Sequence, residues 1–475
     1  MPVRQATIRS RAARGAEARG CFARMGAPAR RICKEALAND ASASRSGIPR
    51  SGPSAGVSMP PCPTAPRFWV WRMVALAALA LIGAALYLAD RVAYADWLFG
   101  KGDAASIRQA IRLAPGTAAY YSSLAQAEPG RAVEILEKAA ALNPLDSSLR
   151  LDLGAAAERR GDFPKAEASL LTAARLDPGF APSLALSGFY FRRRAAEKFW
   201  PVVKAALAKS HGDVWEQFRQ CWTLSSDAPT ILKQAIPDRP EVLRQYLDFL
   251  VSEGRLDAAQ PVSGRLLAHN DRGSLKFLLN DCDHLLADGR AADALAVWNG
   301  LAQRKTIPYP ELTAGAGESP VNGDFRLPGL DAAFDWHFAS PAGIYVDRTL
   351  RPPGLIVSFS GKQPDDAAIL SQYVPLLPHR RYVLAVRYSV SGIAAESGLM
   401  CTIESAGGQD LLHGEGLLPG GAGGEVTQEI PFETPDQTTL GRLILGYRRM
   451  PGTMRIEGSL TLRRVALSLA PEEDR

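Results

Sequence analysis

The stretch GDFPKAEASLLTAARLDP, Gly161 to Pro178, decides how the first half of this chain is read. It carries Gly161, Ala166, Leu170 and Ala173 in order and closes on Leu-x-Pro. The segment RAVEILEKAAALNP, ending at Pro144, carries Ala132, Leu136 and Ala139 at the same offsets, and the two prolines are 34 residues apart. A third Leu-x-Pro stands at Leu113-Ala114-Pro115. Small residues at fixed spacing let two antiparallel helices approach closely. The proline ends one helix and starts the next. A fixed period of this size is the mark of a stacked helical array.

With Leu153-Gly154 supplying an early Leu-Gly, residues 145–178 resemble the tetratricopeptide repeat. Residues 116–144 form a shortened copy, and 96–115 a partial helix pair ending in Ile107, Ala110 and Pro115. The pattern weakens through 181–240, where FWPVVKAALAKS and VWEQFRQCW read as diverged helices. It returns at Gly254-Arg255-Leu256-Asp257-Ala258-Ala259 and at Gly289-Arg290-Ala291-Ala292-Asp293-Ala294, 35 residues apart. The resemblance implies a continuous solenoid over 96–304 and a protein or peptide partner along its concave surface. Trp200, Trp215, Trp222 and Trp298 either line that groove or pack between helices. Arg159, Arg160 and Lys165 surround the best-matched turn, which favours an acidic segment on the partner.

The period changes near residue 305. Residues 305–318, with Pro308 and Pro310, read as a linker. Beyond it apolar residues alternate in Leu355–Phe359, Tyr382–Tyr388, Met400–Ile403, Val426–Phe432, Leu443–Leu445 and Leu460–Leu469. Strands separated by Gly and Pro turns predict an antiparallel β-sandwich over 319–475. Asn322-Gly323-Asp324-Phe325, Phe334-Asp335-Trp336, Phe359-Ser360-Gly361 and Gln372-Tyr373-Val374 with Pro378 and Tyr382 resemble the carbohydrate-binding modules of jelly-roll type. That resemblance implies a glycan surface. Sugar rings stack on flat aromatics, so the candidates are Trp336, Tyr345, Tyr373 and Tyr447. Trp336 is equally read as a core residue. Calcium at a jelly-roll loop would fall to Asp324 or Asp335.

The N-terminus has a different character. Residues 1–66 hold 11 Lys+Arg against 3 Asp+Glu, and the remainder 44 against 46. The sequence pI near 9.0 therefore reflects the leader and gives no basic nucleic-acid groove. The leader cannot form a core and reads as a disordered tail, as a targeting peptide, or as lying before a start at Met59. A start at Met59 gives a normal signal-anchor layout and is the reading adopted. Met73 to Ala89 is 17 residues without a charge, and Phe68–Arg72 extends it towards the length of a membrane span. Ala93-Tyr94-Ala95 has the form of a cleavage site, but Asp90 and Arg91 separate it from the apolar run, which favours an anchor over 67–92. Arg67 and Arg72 put the N-terminus in the cytoplasm and the bulk of the chain outside it, in the periplasm if the source is bacterial.

No GxSxG, HExxH or phosphate loop occurs, and the six His are scattered. Cys221, Cys282 and Cys401 offer at most one bridge, between the first two. Gly414 to Gly424 reads as a flexible loop and Asp365-Asp366 as a solvated turn. No catalytic residue, metal site or cofactor is expected. The chain is thus expected to be an α+β multidomain protein with an N-terminal transmembrane helix, an α-solenoid and a C-terminal jelly roll. Its expected role is that of a non-catalytic scaffold of envelope or extracellular-polysaccharide assembly. The alternative is a carbohydrate-active enzyme or glycan-binding accessory protein acting through the sandwich.

Overall fold

The computed structural model describes residues 66–316, 319–406, 413–420 and 424–470. The leader, with Cys21, Cys33, Cys62 and Met59, lies outside them, as does part of the Gly-rich loop. Helix α1 (Pro66–Phe99) is 34 residues long. Its Trp69–Phe99 span contains an 18-residue window with a mean hydropathy of 2.1, and this is one helix long and apolar enough to cross a membrane. The anchor had been placed at 67–92, yet α1 runs on to Phe99, because no Gly or Pro occurs between Val92 and Phe99 and the helix meets Gly100 only then. Its last turn is solenoid core: Ala95 and Leu98 are buried, and the Phe99 ring lies 4.9 Å from that of Tyr120.

Gly102, at φ +77°, turns the chain, and Asp103 caps α2 (Ala104–Leu113) by accepting from Ser106 N. Hairpins follow: α3 (Ala118–Ala127) with α4 (Ala132–Leu142), α5 (Ser147–Arg160) with α6 (Phe163–Leu176), and α7 (Phe180–Arg192) with α8 (Ala196–Lys209). Then come the shorter α9 (Trp215–Leu224) and α10 (Ala228–Gln234), and the hairpins α11 (Pro240–Ser252) with α12 (Leu256–His269) and α13 (Leu275–Ala287) with α14 (Ala291–Gln303); α9 packs on α11, and α10 on α8 and α12. The α5–α6 pair shows how the repeat works. Asp146 caps α5, Gly161 at φ +85° ends it, and Asp162 caps α6 with Pro164 in its first turn. A Cβ on Gly154 would fall 2.7 Å from Leu170 Cγ, so glycine is required where the helices cross. Ala157, Ala166 and Ala173 are fully buried along the same seam.

Ten strands follow among the described residues: β1 (His337–Phe338), β2 (Ile344–Leu350), β3 (Pro353–Ser360), β4 (Asp366–Pro375), β5 (Arg381–Ser391), β6 (Leu399–Ser405), β7 (His413–Leu417), β8 (Val426–Glu433), β9 (Leu440–Arg448) and β10 (Glu457–Leu469). They form two antiparallel five-stranded sheets, β1-β4-β9-β6-β7 and β2-β3-β10-β5-β8, packed as a jelly-roll sandwich. All six alternating segments read from the sequence are strands. Two longer strands escaped that reading. β2 is an edge strand with charges in it. β4 is buried almost continuously and shifts register between Ala368 and Leu370, which breaks its alternation.

The reading of 305–318 as a linker is corrected. Ile307, Tyr309 and Leu312 are buried, and Trp298 of α14 stacks on Tyr309 at 5.5 Å and meets Phe334 edge-on at 5.8 Å. Asn299 Nδ2 donates to Leu312 O at 2.9 Å while Leu312 N donates to Asn299 Oδ1 at 2.7 Å. Ala333 N donates to Asp283 Oδ1 of α13 at 2.6 Å. One apolar cluster runs from Ala95 through the helices to Phe334 and Leu440, so solenoid and sandwich share a core at this seam.

Candidate binding surfaces

The four aromatics proposed for sugar stacking are dispersed by the fold. Trp336 is 1% exposed, packed on Phe325 at 5.4 Å, with its Nε1–H donated to Asn322 O at 3.2 Å. Tyr447 is fully buried beside Phe359. Both rings belong to the sandwich interior, where a ligand cannot reach either face, and their assignment as ligand contacts is corrected accordingly. Alternation on β9 and burial of the Phe-Asp-Trp turn account for this. Tyr345 is 62% exposed on β2, facing away from the others. Tyr373 is half-buried on the outer face of the β1-β4-β9-β6-β7 sheet.

That outer face is one of two polar sheet surfaces a proposed residue touches; Tyr345 lies in the other, in register with Ser358, Ser459 and Ser391. Register places Tyr373, Arg442 and Glu404 in one row across β4, β9 and β6, and Ser371, Ile444 and Thr402 in the next. The Arg442 guanidinium lies 5.8 Å from the Tyr373 ring centre and donates to Ser371 Oγ at 3.3 Å, while His337 meets Tyr373 edge-on. One aromatic ring beside a guanidinium gives a single stacking platform with polar neighbours.

The solenoid carries larger hollows. One, of about 650 Å³, opens between α3, α5 and the end of α7. Ala125, Leu136 and Ala155 form its apolar floor, and Gln126, Asp152 and Arg159 stand around it. A second, of about 840 Å³, lies at the turns after α9, α11 and α13, with Trp222, Arg255, His284 and Arg290 on its walls. There the Arg255 guanidinium sits 4.1 Å from the Trp222 ring centre, and Arg290 is answered by Asp257 at 2.8 Å and Asp293 at 2.6 Å. Of the four solenoid tryptophans, only Trp222 therefore lines a groove. Trp200 and Trp298 are core residues, and Trp215 packs edge-on against Phe249 at 5.6 Å.

The buried titratable groups are held in place rather than presented. Burial raises the pKa of Asp335, which accepts from Tyr309 Oη at 2.9 Å and from Leu330 N. Burial likewise raises Asp281, bonded to Ser263 Oγ at 2.6 Å, and Asp283 in the seam. Burial pushes the Cys221 and Cys401 thiols up to about 12 and Cys282 upward too; all three are free. Thiols so placed are unreactive. Asp324 pairs with Arg326 at 2.9 Å, and among the described residues no group of three His, Cys, Asp or Glu side chains converges.

The chain thus combines an apolar N-terminal helix, a solenoid of helical hairpins and a C-terminal jelly-roll sandwich. No protein-family model and no curated protein matches it. Among solved structures, 42% of the chain is similar to 93% of YrrB, titled a TPR protein with an unusual peptide-binding site, at 15% identity and TM-score 0.22. Another 40% match covers 93% of a MamA fragment from Desulfovibrio magneticus RS-1, at 14% identity and TM-score 0.20. A CBM4 domain is matched over its whole length by 32% of the chain, at 13% identity and TM-score 0.25. Scores this low lend no weight to any function.

Proposed function

We propose that this chain is a membrane-anchored, non-catalytic scaffold whose solenoid holds a protein partner. In this reading α1 is the anchor, the N-terminus is cytoplasmic, and solenoid and sandwich work on the far side of the membrane. Envelope or extracellular-polysaccharide assembly is the setting we favour. The observation that carries the reading is the groove between α3 and α5: an apolar floor ringed by Gln126, Asp152 and Arg159, none of which the core needs. A hollow of this size, open along a helix face, suits an extended peptide segment better than a reaction that requires water to be excluded.

A second reading rests on the Tyr373-Arg442-Glu404 row, which supports a glycan contact on the sandwich. Both are tested in the intact chain with a photocrosslinking residue at Gln126 or, separately, at Tyr373. Protein adducts from position 126 are expected. Adducts from position 373 alone overturn the solenoid as the partner site, and retention of the chain on a polysaccharide resin, lost in Tyr373→Ala, moves the function to the sandwich.

A further inference from the structure

Two neighbouring turns of the solenoid carry exposed arginines. Arg159 and Arg160 close α5, and Arg193 and Arg194 follow α7. The turns are fastened together. Arg192 Nε and Nη2 donate to Glu158 Oε1 and Oε2 at 2.7 and 2.8 Å, and the Arg193 guanidinium lies 3.8 Å from the Phe163 ring centre. The charge of Arg192 is thereby answered. Arg159, Arg160 and Arg194 are exposed, and among the described residues their side chains form no hydrogen bond or ion pair. The carboxylates beside them are Asp162, which caps α6, and Glu197. On the wall of the 650 Å³ groove Glu158 is paired with Arg192 and Asp152 accepts from Ser122 Oγ at 3.1 Å, so the positive patch is that of Arg159, Arg160 and Arg194 at the groove's edge, where Arg159 is itself a wall residue.

We propose that the segment this groove receives is acidic: an extended stretch of the partner that lays apolar side chains on Ala125 and Leu136 and Asp or Glu side chains on Arg159, Arg160, Arg193 and Arg194. The inference rests on the partner reading above and gives that partner its chemistry. A guanidinium fork takes a carboxylate through two parallel hydrogen bonds. Arg193 is already held on Phe163, so part of its ordering cost is met before binding. An anionic headgroup would satisfy the charges but leave the apolar floor empty, which favours a peptide.

The test uses the full chain in detergent micelles and two fluorescein-labelled peptides, one alternating Glu and Leu, the other Lys and Leu. By fluorescence anisotropy the Glu peptide is expected to bind and the Lys peptide not. Arg159→Glu/Arg194→Glu should weaken the Glu peptide at least about tenfold, and added salt should weaken it in the unaltered chain. Arg159→Lys/Arg194→Lys should keep part of the affinity. Equal binding of both peptides, undiminished binding by the charge-reversed chain, or displacement by sn-glycerol phosphate at equal concentration overturns the proposal. Crosslinks from Gln126 separate the two failures. Their absence in the unaltered chain defeats the partner reading, whereas adducts that persist undiminished in the charge-reversed chain defeat only the acidic segment.

Discussion

In the α5–α6 hairpin the helices meet through Gly154, Ala157, Ala166 and Ala173, while Arg159 and Arg160 stay outside. In the sandwich the order is reversed: Phe325, Trp336, Tyr388 and Tyr447 are turned inward, and the outer sheet face shows Arg442, Glu404 and Thr402. The difference follows from geometry. Helices that cross closely need small side chains between them, which frees large ones for the surface. Two sheets stand about 10 Å apart and need large rings to fill the gap. At this crossing large side chains thus stay at the surface, whereas the sandwich buries most of its rings; other hairpins, with Phe199, Phe218, Tyr246 and Phe249 inside, behave as the sandwich does. The partner site is therefore proposed at the α3–α5 groove, where the crossing is made by small residues.

The comparison is broken most directly at Trp336. Trp336→Ala removes a fully packed ring and is expected to cost about 3–5 kcal/mol. Hydrogen exchange should show β5 and β10 losing protection while α5 and α6 keep theirs, since Trp336 belongs to the sandwich's own apolar cluster. Retention of sandwich protection would mean that the ring is dispensable and free for a ligand after all. The matching change in the solenoid is Gly154→Val. Added atoms collide with Leu170, so about 1–3 kcal/mol is expected, read as a lower thermal midpoint. An unchanged midpoint would show that α5 and α6 do not depend on that crossing.

Much of this contrast was legible in the sequence. The Leu-x-Pro period and the alanines beside it gave the hairpins, because helix crossing constrains residue size at fixed spacing. Alternation gave six strands, because each has one face inside. What alternation could not give was β4, whose Gln372 is buried and donates to Val321 O and Phe334 O, and the seam at Tyr309, whose prolines read as a linker while its aromatic side chains pack on Trp298. Nor does a list of aromatics say which are spare: Trp336 and Tyr345 look alike in sequence, and only burial separates them. The arginines after α7 were missed because the repeat is most diverged there. The run Arg192-Arg193-Arg194 was the available signal.

The seam sharpens the comparison through pH. Asp335 has its pKa raised above the ordinary value of 3.8, chiefly by burial. A proton held more tightly in the folded chain adds stability that is fully present below 3.8 and is lost as pH rises through the raised value. Asp335→Asn keeps an acceptor for Tyr309 Oη and Leu330 N but cannot ionise. Its stability should therefore decline less than that of the unaltered chain over the same pH rise, as read by urea unfolding at stepped pH. Parallel pH profiles would show that Asp335 does not titrate within this window.

The smallest effect is expected at Tyr345, and it is informative for that reason. Its ring is 62% exposed on the edge strand β2, opposite Ser358 in register. A surface side chain without packing partners changes stability by no more than about 0.5 kcal/mol when truncated. Tyr345→Ala should therefore leave urea unfolding unchanged, and if the solenoid is the partner site it should also leave the Gln126 crosslinks intact. A change in stability beyond that range would mean that the ring packs on something the strand pairing does not reveal. A loss of crosslinks without a loss of stability would carry more weight. It would mean that the partner reaches from the helices onto the sandwich edge, and that the two regions, so different in how they place large side chains, form one binding surface.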